Sequence, residues 1–151
     1  MIAPNTGIVK TVAGSGACSP VPAPFAGVTV CQGGFVGDGG PAVNASLNHA
    51  SSVALDQQGN LYIADTLNHR IRKVDAATGV ISTIAGTGVD GFSGDDGPAL
   101  SANISMPTGI TADQSGNIYF ADENNNRIRM LVPVMQRRFA ADRPSGRAIR
   151  R

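Results

Sequence analysis

A chain of 151 residues with 19 Gly, nine Pro, no Trp and 42% hydrophobic residues has the make-up of a turn-dense globular β protein rather than a disordered or membrane one. No apolar run approaches the ~18 residues that a spanning helix needs. The net charge of +1 hides two opposite parts: Arg137, Arg138, Arg143, Arg147, Arg150 and Arg151 against Asp142 give residues 133–151 a charge of +5, which leaves residues 1–132 at −4.

In chain order, residues 7–16 read GIVKTVAGSG, where the Ile, Val and Thr residues of 8–13 predict one outer strand. The first residues lack a charged start followed by an apolar h-region, so no signal peptide is visible. Residues 17–33 form a Pro-rich inserted loop that holds both cysteines, Cys18 and Cys31. A disulfide between them would close that loop, contribute about 3 kcal/mol on the chain-entropy estimate, and imply an oxidising compartment, in an extracellular or cell-envelope setting; the alternative is two free thiols. Two cysteines without a nearby His or carboxylate set cannot hold a metal.

From residue 34 the chain alternates glycine clusters with short runs rich in Ile, Val, Tyr and Thr, the pattern of short antiparallel strands joined by turns. Within 34–90 four strands are expected, at 52–56, 61–65, 70–75 and 80–85. Within 91–132 three are expected between 108 and 132. The GDGGPA run, residues 37–42, combines glycines suited to a sharp turn with a proline suited to the start of a helix, so a short helical turn is predicted over 41–47 and again over 98–104. Residues 133–151 lack a further strand pattern. With one aromatic, Phe139, and no amphipathic stripe they read as a disordered extension or the mistranslated end of an incomplete gene rather than a nucleic-acid or membrane-binding arm.

The chain is written twice. GNLYIADTLNHRIRKVD, from Gly59, returns as GNIYFADENNNRIRMLV, from Gly116, a spacing of 57 residues. GFVGDGGPAVNASLNHAS, from Gly34, keeps the same spacing with GFSGDDGPALSANISMPT, from Gly91. GIVKTVAGSG matches GVISTIAGTG, from Gly79, at a spacing of 72. These tracts resemble the NHL repeats of bacterial β-propellers, whose pattern is a GNLYVAD-like strand, an N-x-R-I-R strand, a tG-x-I-x-T-x-AG strand and a GDGGPA loop. The resemblance covers residues 7–132 and implies an all-β fold: an incomplete β-propeller of about two four-stranded antiparallel blades, residues 34–90 and 91–132, with residues 1–16 as the outer strand of a preceding blade. Propellers close with about four to eight blades. The chain is therefore a piece of a longer repeat protein or a protomer that self-associates to close a ring, about three copies making six blades, and the piece is favoured because nothing protects its edges.

The repeat also sorts the candidate site residues. Gly59, Asn60, Asp65, Asn68 and Arg70 recur as Gly116, Asn117, Asp122, Asn125 and Arg127. Asp65 and Asp122 are expected to accept backbone N–H bonds at a turn while facing the guanidinium five residues on. Recurrence in each unit is what a structural role requires, whereas a catalytic site needs one asymmetric constellation. His69 is replaced by Asn126 and belongs to a surface turn. His49, in the link before a strand, is the candidate should any residue touch a ligand; an ordinary loop histidine is the simpler reading. The loops GDGG and GDDG are acidic, yet they lack the spaced carboxylates and bidentate Glu of a calcium loop.

No serine elbow, phosphate loop or dinucleotide fingerprint is present, and no cofactor is expected. The resemblance leaves two classes open: a non-catalytic scaffold that binds a protein or glycan partner, or part of a metal-dependent propeller enzyme of the lactonase or lyase type. Some animal NHL proteins bind RNA on a basic face, but the repeat region here is acidic, so no nucleic-acid partner is expected.

Overall fold

The computed structural model describes residues 7–16, 19–22, 29–32 and 34–133, and three antiparallel sheets are present among them. The insertion is not a plain loop: β1 (Ser19–Pro22) and β2 (Thr29–Gln32) form a hairpin in which Pro20 lies opposite Cys31. Proline at alternate positions hid this pairing, because each proline removes a backbone donor and lowers a strand signal. The expected Cys18–Cys31 disulfide falls outside the described residues.

Unit one is a meander of β3 (Ala50–Leu55), β4 (Leu61–Asp65), β5 (Arg70–Val74) and β6 (Ile81–Ala85), in that order across the sheet. Unit two repeats it as β7 (Pro107–Ala112), β8 (Ile118–Asp122) and β9 (Arg127–Leu131). Its described residues contain no counterpart of β6. The two units are blades of an incomplete all-β propeller.

Each hairpin is closed by the residues that the repeat preserves. Between β3 and β4, Asp56 Oδ1 accepts the N–H groups of Gln58 and Asn60, both at 2.9 Å, and Gly59 takes a φ of +81°. Asp113 accepts from Ser115 and Asn117 in the same way around Gly116, also at +81°. A 3-10 turn, Thr66–Asn68 or Glu123–Asn125, joins the second and third strands and ends on a left-handed residue, His69 or Asn126. Asp75 then accepts from the Ala77 and Thr78 amides to turn the chain into β6. Unit two has Val132 and Pro133 at the positions of Asp75 and Ala76, so this turn is not rebuilt.

The predicted helical turns form as three-residue 3-10 helices, Ala42–Asn44 and Ala99–Ser101, each following its proline. The loop folds flat against its blade because Gly37 and Gly94 approach the backbone of Ala45 and Ala102. A Cβ on either glycine would lie 2.7 Å from the facing Cα. The first loop bridges neighbouring strands. Its Gly39 amide donates to Ile81 O, and Ile81 N donates back to Gly40 O, while Ala42 and Ala45 carbonyls accept from Gly14 and Ser15. The second loop repeats the other half of that bridge, with Ala99 and Ala102 accepting from Gly86 and Thr87.

The main core lies between the blades. Tyr62, Ala64, Ile71 and Ala85 from the first pack against Ile104, Ile110, Ile118 and Phe120 from the second. A smaller cluster of Ala42, Ala45, Ile63 and Ile81 seals the first loop onto the opposite face. Residues 8–13, expected as an outer strand, join no ladder, since the described residues hold no strand for them to pair with; Ile8 and Val9 are exposed.

Candidate functional site

The densest chemistry is an ion cluster beneath each glycine-rich loop. Asp65 ends β4, and its Oδ1 accepts the Asn48 amide at 2.8 Å. Asn68, one turn on, donates to both Asp65 oxygens and to the Gly34 carbonyl. The guanidinium partner is not Arg70 but Arg72: its Nη1 lies 3.0 Å from Asp65 Oδ2, with both side chains fully buried. Arg72 Nη2 reaches Asp38 of the loop at 2.8 Å. Arg70 instead donates to the carbonyls of Asn68 and Thr87. Both guanidiniums lie over the Phe35 ring, at 3.8 and 4.7 Å from its centroid.

Unit two reproduces the arrangement group by group. Asp122 accepts from Ser105 N and Asn125, and pairs with Arg129 at 3.3 Å. Arg129 in turn reaches Asp95 at 2.8 Å, and Arg127 and Arg129 stack on Phe92. The acidic loops therefore direct Asp38 and Asp95 at guanidinium groups. Sequence reasoning took the nearer arginine as the partner and passed over Arg72, Asp38 and Phe35. The signal was available, because all three recur at the 57-residue spacing as Arg129, Asp95 and Phe92.

A second polar group lines a cleft of 510 Å³ between the two blades, at the end where β3 and β7 turn back. Asp56 Oδ2 accepts from Asn60 Nδ2 at 2.7 Å and from the Tyr62 hydroxyl at 2.9 Å. Burial pulls the Asp56 carboxyl upward, but the bonds from Asn60, Tyr62 and Gln58 outweigh it and hold the group below its ordinary value. Burial, then the bond to Asp56 and its charge, push the Tyr62 phenol up to about 12. Across the cleft, the Asn117 side-chain bond, opposed by burial and helped by the Asn117 and Ser115 amides, lowers Asp113. Gln58, Lys73, Gln114 and Ser115 also line the cleft.

One member of this pair is defective. Asn60 Oδ1 accepts the Ala76 amide at 3.0 Å. Pro133 occupies the equivalent place beside Asn117 and has no N–H, so Asn117 Oδ1 is left without a partner among the described residues.

His49 is exposed, with a φ of +57°, at the start of β3 and so at the opposite end of the blade from the cleft. Its chain neighbours meet Asp65, Asn48 through its amide and Ala50 through the β3–β4 ladder, so His49 lies at the end of the blade that holds Asp65 and Asn68. His69 Nδ1 accepts the Met106 amide at 3.2 Å, which makes it a bridge between blades rather than a free surface turn. Among the described residues no three His, Cys, Asp or Glu side chains come together as a metal site.

Repeated blades with a shared inter-blade core define a propeller segment. Residues 9–91 match the family model of the teneurin NHL domain, and residues 105–130 match that of the NHL repeat. The chain belongs to the NHL-repeat family. It is 35% identical over 97 residues to the protein SUPPRESSOR OF QUENCHING 1, chloroplastic, of Arabidopsis thaliana, covering 64% of this chain and 9% of that one. NHL repeat-containing protein 2 of Bos taurus is 38% identical over 98 residues, covering 61% and 13%. The chain thus spans only a small part of either relative. Among solved structures, a structural genomics protein of unknown function from Bacteroides thetaiotaomicron VPI-5482 superposes with a TM-score of 0.54 at 32% identity, over 60% of this chain and 22% of that one.

Proposed function

We propose that this chain is a non-catalytic propeller segment that acts as an interaction scaffold, presenting its inter-blade turns to a protein or carbohydrate partner. The supporting observation is where the repeat uses its charges. Asp65, Arg72 and Asp38, like Asp122, Arg129 and Asp95, are bonded to one another, with Asp65, Arg72 and Asp122 fully buried, so they hold loops rather than substrates. The cleft is lined by a mixed set of amides, a hydroxyl, one ammonium and two carboxylates: Gln58, Gln114, Ser115, Lys73, Asp56 and Asp113. Such a lining suits the hydroxyls of a glycan or the backbone of a peptide. An extracellular or cell-envelope setting is part of the same proposal and rests on a disulfide between the two cysteines of the insertion, Cys18 and Cys31, which is itself proposed. Among the described residues no helix is long and apolar enough to cross a membrane.

The test is a nuclear magnetic resonance titration of the labelled chain with panels of oligosaccharides and peptides. The reading expects saturable shifts confined to the amides of residues 56–60 and 113–117. A stoichiometric divalent ion found together with lactone hydrolysis would overturn it in favour of an enzyme.

A further inference from the structure

The interface between the two blades is also a template for surfaces that the chain leaves open. Ile71, on the back of blade one, is 0% exposed because blade two covers it; its counterpart on blade two, Ile128, is 74% exposed. Ile110, on the front of blade two, is 9% exposed against blade one; its counterpart Val53 is 58% exposed. The chain therefore carries one uncovered copy of each half of an interface that it also contains assembled. Met130 extends the first open half and Leu55 the second.

The fourth strand, which the described residues of unit two do not contain, supplies a further match. In blade one, Ile81 of β6 is fully buried among Ala42, Ala45 and Ile63. In blade two the corresponding space is a groove of 950 Å³ beside β9, floored by Ala99, Ala102 and Phe120. Val9 stands at the position of Ile81 in the 72-residue register and is 98% exposed. The segment that carries it is already aimed outward, since Gly14 and Ser15 donate to Ala42 and Ala45 as Gly86 and Thr87 donate to Ala99 and Ala102. It stands where the outer strand of a preceding blade belongs.

The geometry points to head-to-tail association of this chain with a second copy, in which residues 8–13 of one copy add to β9 of the other as its fourth strand. The register follows from β5 and β6, where Val74 faces Ile81 and Lys73 faces Ser82: Leu131 takes Val9, and Met130 takes Lys10. Main-chain bonds to an open edge give such an addition its strength, and alternate side chains give it register. A polar contact is ready as well. Asn126 is left-handed like His69 and holds the repeat position from which His69 accepts the Met106 amide, so its side-chain oxygen is suited to accept the His49 amide of the second copy. Glu123, in the place of Thr66, cannot repeat the hydroxyl bond that Thr66 donates to Pro107 O, so this interface has one bond fewer than the internal one. The contact is heterologous: each copy keeps one free half and can add another.

Sedimentation velocity on the full chain across a wide concentration range tests this. The expected result is a mass that rises above that of one chain with concentration. Val9→Asp alone and Ile128→Asp alone should each sediment as one chain with an unchanged melting temperature, since both side chains are exposed in the single chain. Met130→Asp serves in place of Ile128→Asp should the latter fail to fold. An equimolar mixture of the two variants should form a dimer and nothing larger, because one intact half remains on each partner. A wild-type chain that stays single at every concentration, variants that still associate, or a mixture that stays single would each overturn the proposal. So would a single chain whose β9 amides are protected from hydrogen exchange, which would give the groove to residues 134–151 of the same molecule.

Discussion

Arg72 and Arg129 occupy equivalent positions but differ in burial, and that difference sets the cost of removing them. Arg72 is fully enclosed, with Asp65 and Asp38 as partners, whereas Arg129 retains some solvent and its outer partner Asp95 is exposed. Removing one member of a buried pair strands the other charge, so Arg72→Ala should lower unfolding free energy by about 3–5 kcal/mol in denaturant titration, and Arg129→Ala by clearly less. Titration separates a second pair. The Asp56 carboxyl is held below its unfolded value, so its contribution is present above that value and is lost as pH falls through the folded one. Asp56→Asn should accordingly flatten the acid limb of the stability curve below about pH 4. Tyr62 has the opposite sign. Its pKa is raised to about 12, so its contribution is present below the ordinary phenol value and lost as pH rises toward about 12. In a Tyr119→Phe background, phenolate absorbance from Tyr62 should therefore develop well above pH 10, and earlier once Asp56 is replaced. The residue types of both pairs were legible in the repeat. Their partners were not, because Arg70 and Arg72 leave the same face of β5, and only the loop folded over Arg72 decides which guanidinium is enclosed.

A strand hairpin of this fold depends on backbone shapes that few residues take. Gly59 and Gly116 sit at +81° within turns closed by Asp56 and Asp113, and a β-branched side chain is strained there. Gly59→Val or Gly116→Val should each cost about 1–3 kcal/mol, seen as a lower melting temperature; an unchanged melt would remove the turn assignment. The strands themselves were readable to within a residue or two, since alternation and turn chemistry are local. Two elements departed from expectation for physical reasons. The β1–β2 hairpin was hidden by its prolines, and residues 8–13 have strand character but pair with no strand among the described residues, which shows that pairing is a property of two segments and not of one.

The two blades stand or fall together, because the largest apolar cluster is shared between them rather than owned by either. Ile71→Ala should open a cavity in that shared core and cost about 2–5 kcal/mol in a single cooperative transition. Two separate unfolding transitions in the wild-type chain would contradict this coupling. Nearest-neighbour packing of this kind is how repeat arrays are stabilised, and it leaves the terminal faces in need of cover.

Within the two repeated units, the order of strands, their antiparallel pairing, the glycine-dependent turns and the doubling itself were determined by the sequence alone, since each arises from chemistry within a few residues or from repetition that can be counted. The tertiary structure alone decided which arginine each aspartate meets, which loop aspartate joins them, and which isoleucine of an identical pair is hidden. Those outcomes depend on what lies against a strand across the gap between blades, and the same local sequence, Ile71 or Ile128, is buried or bare according to that neighbour.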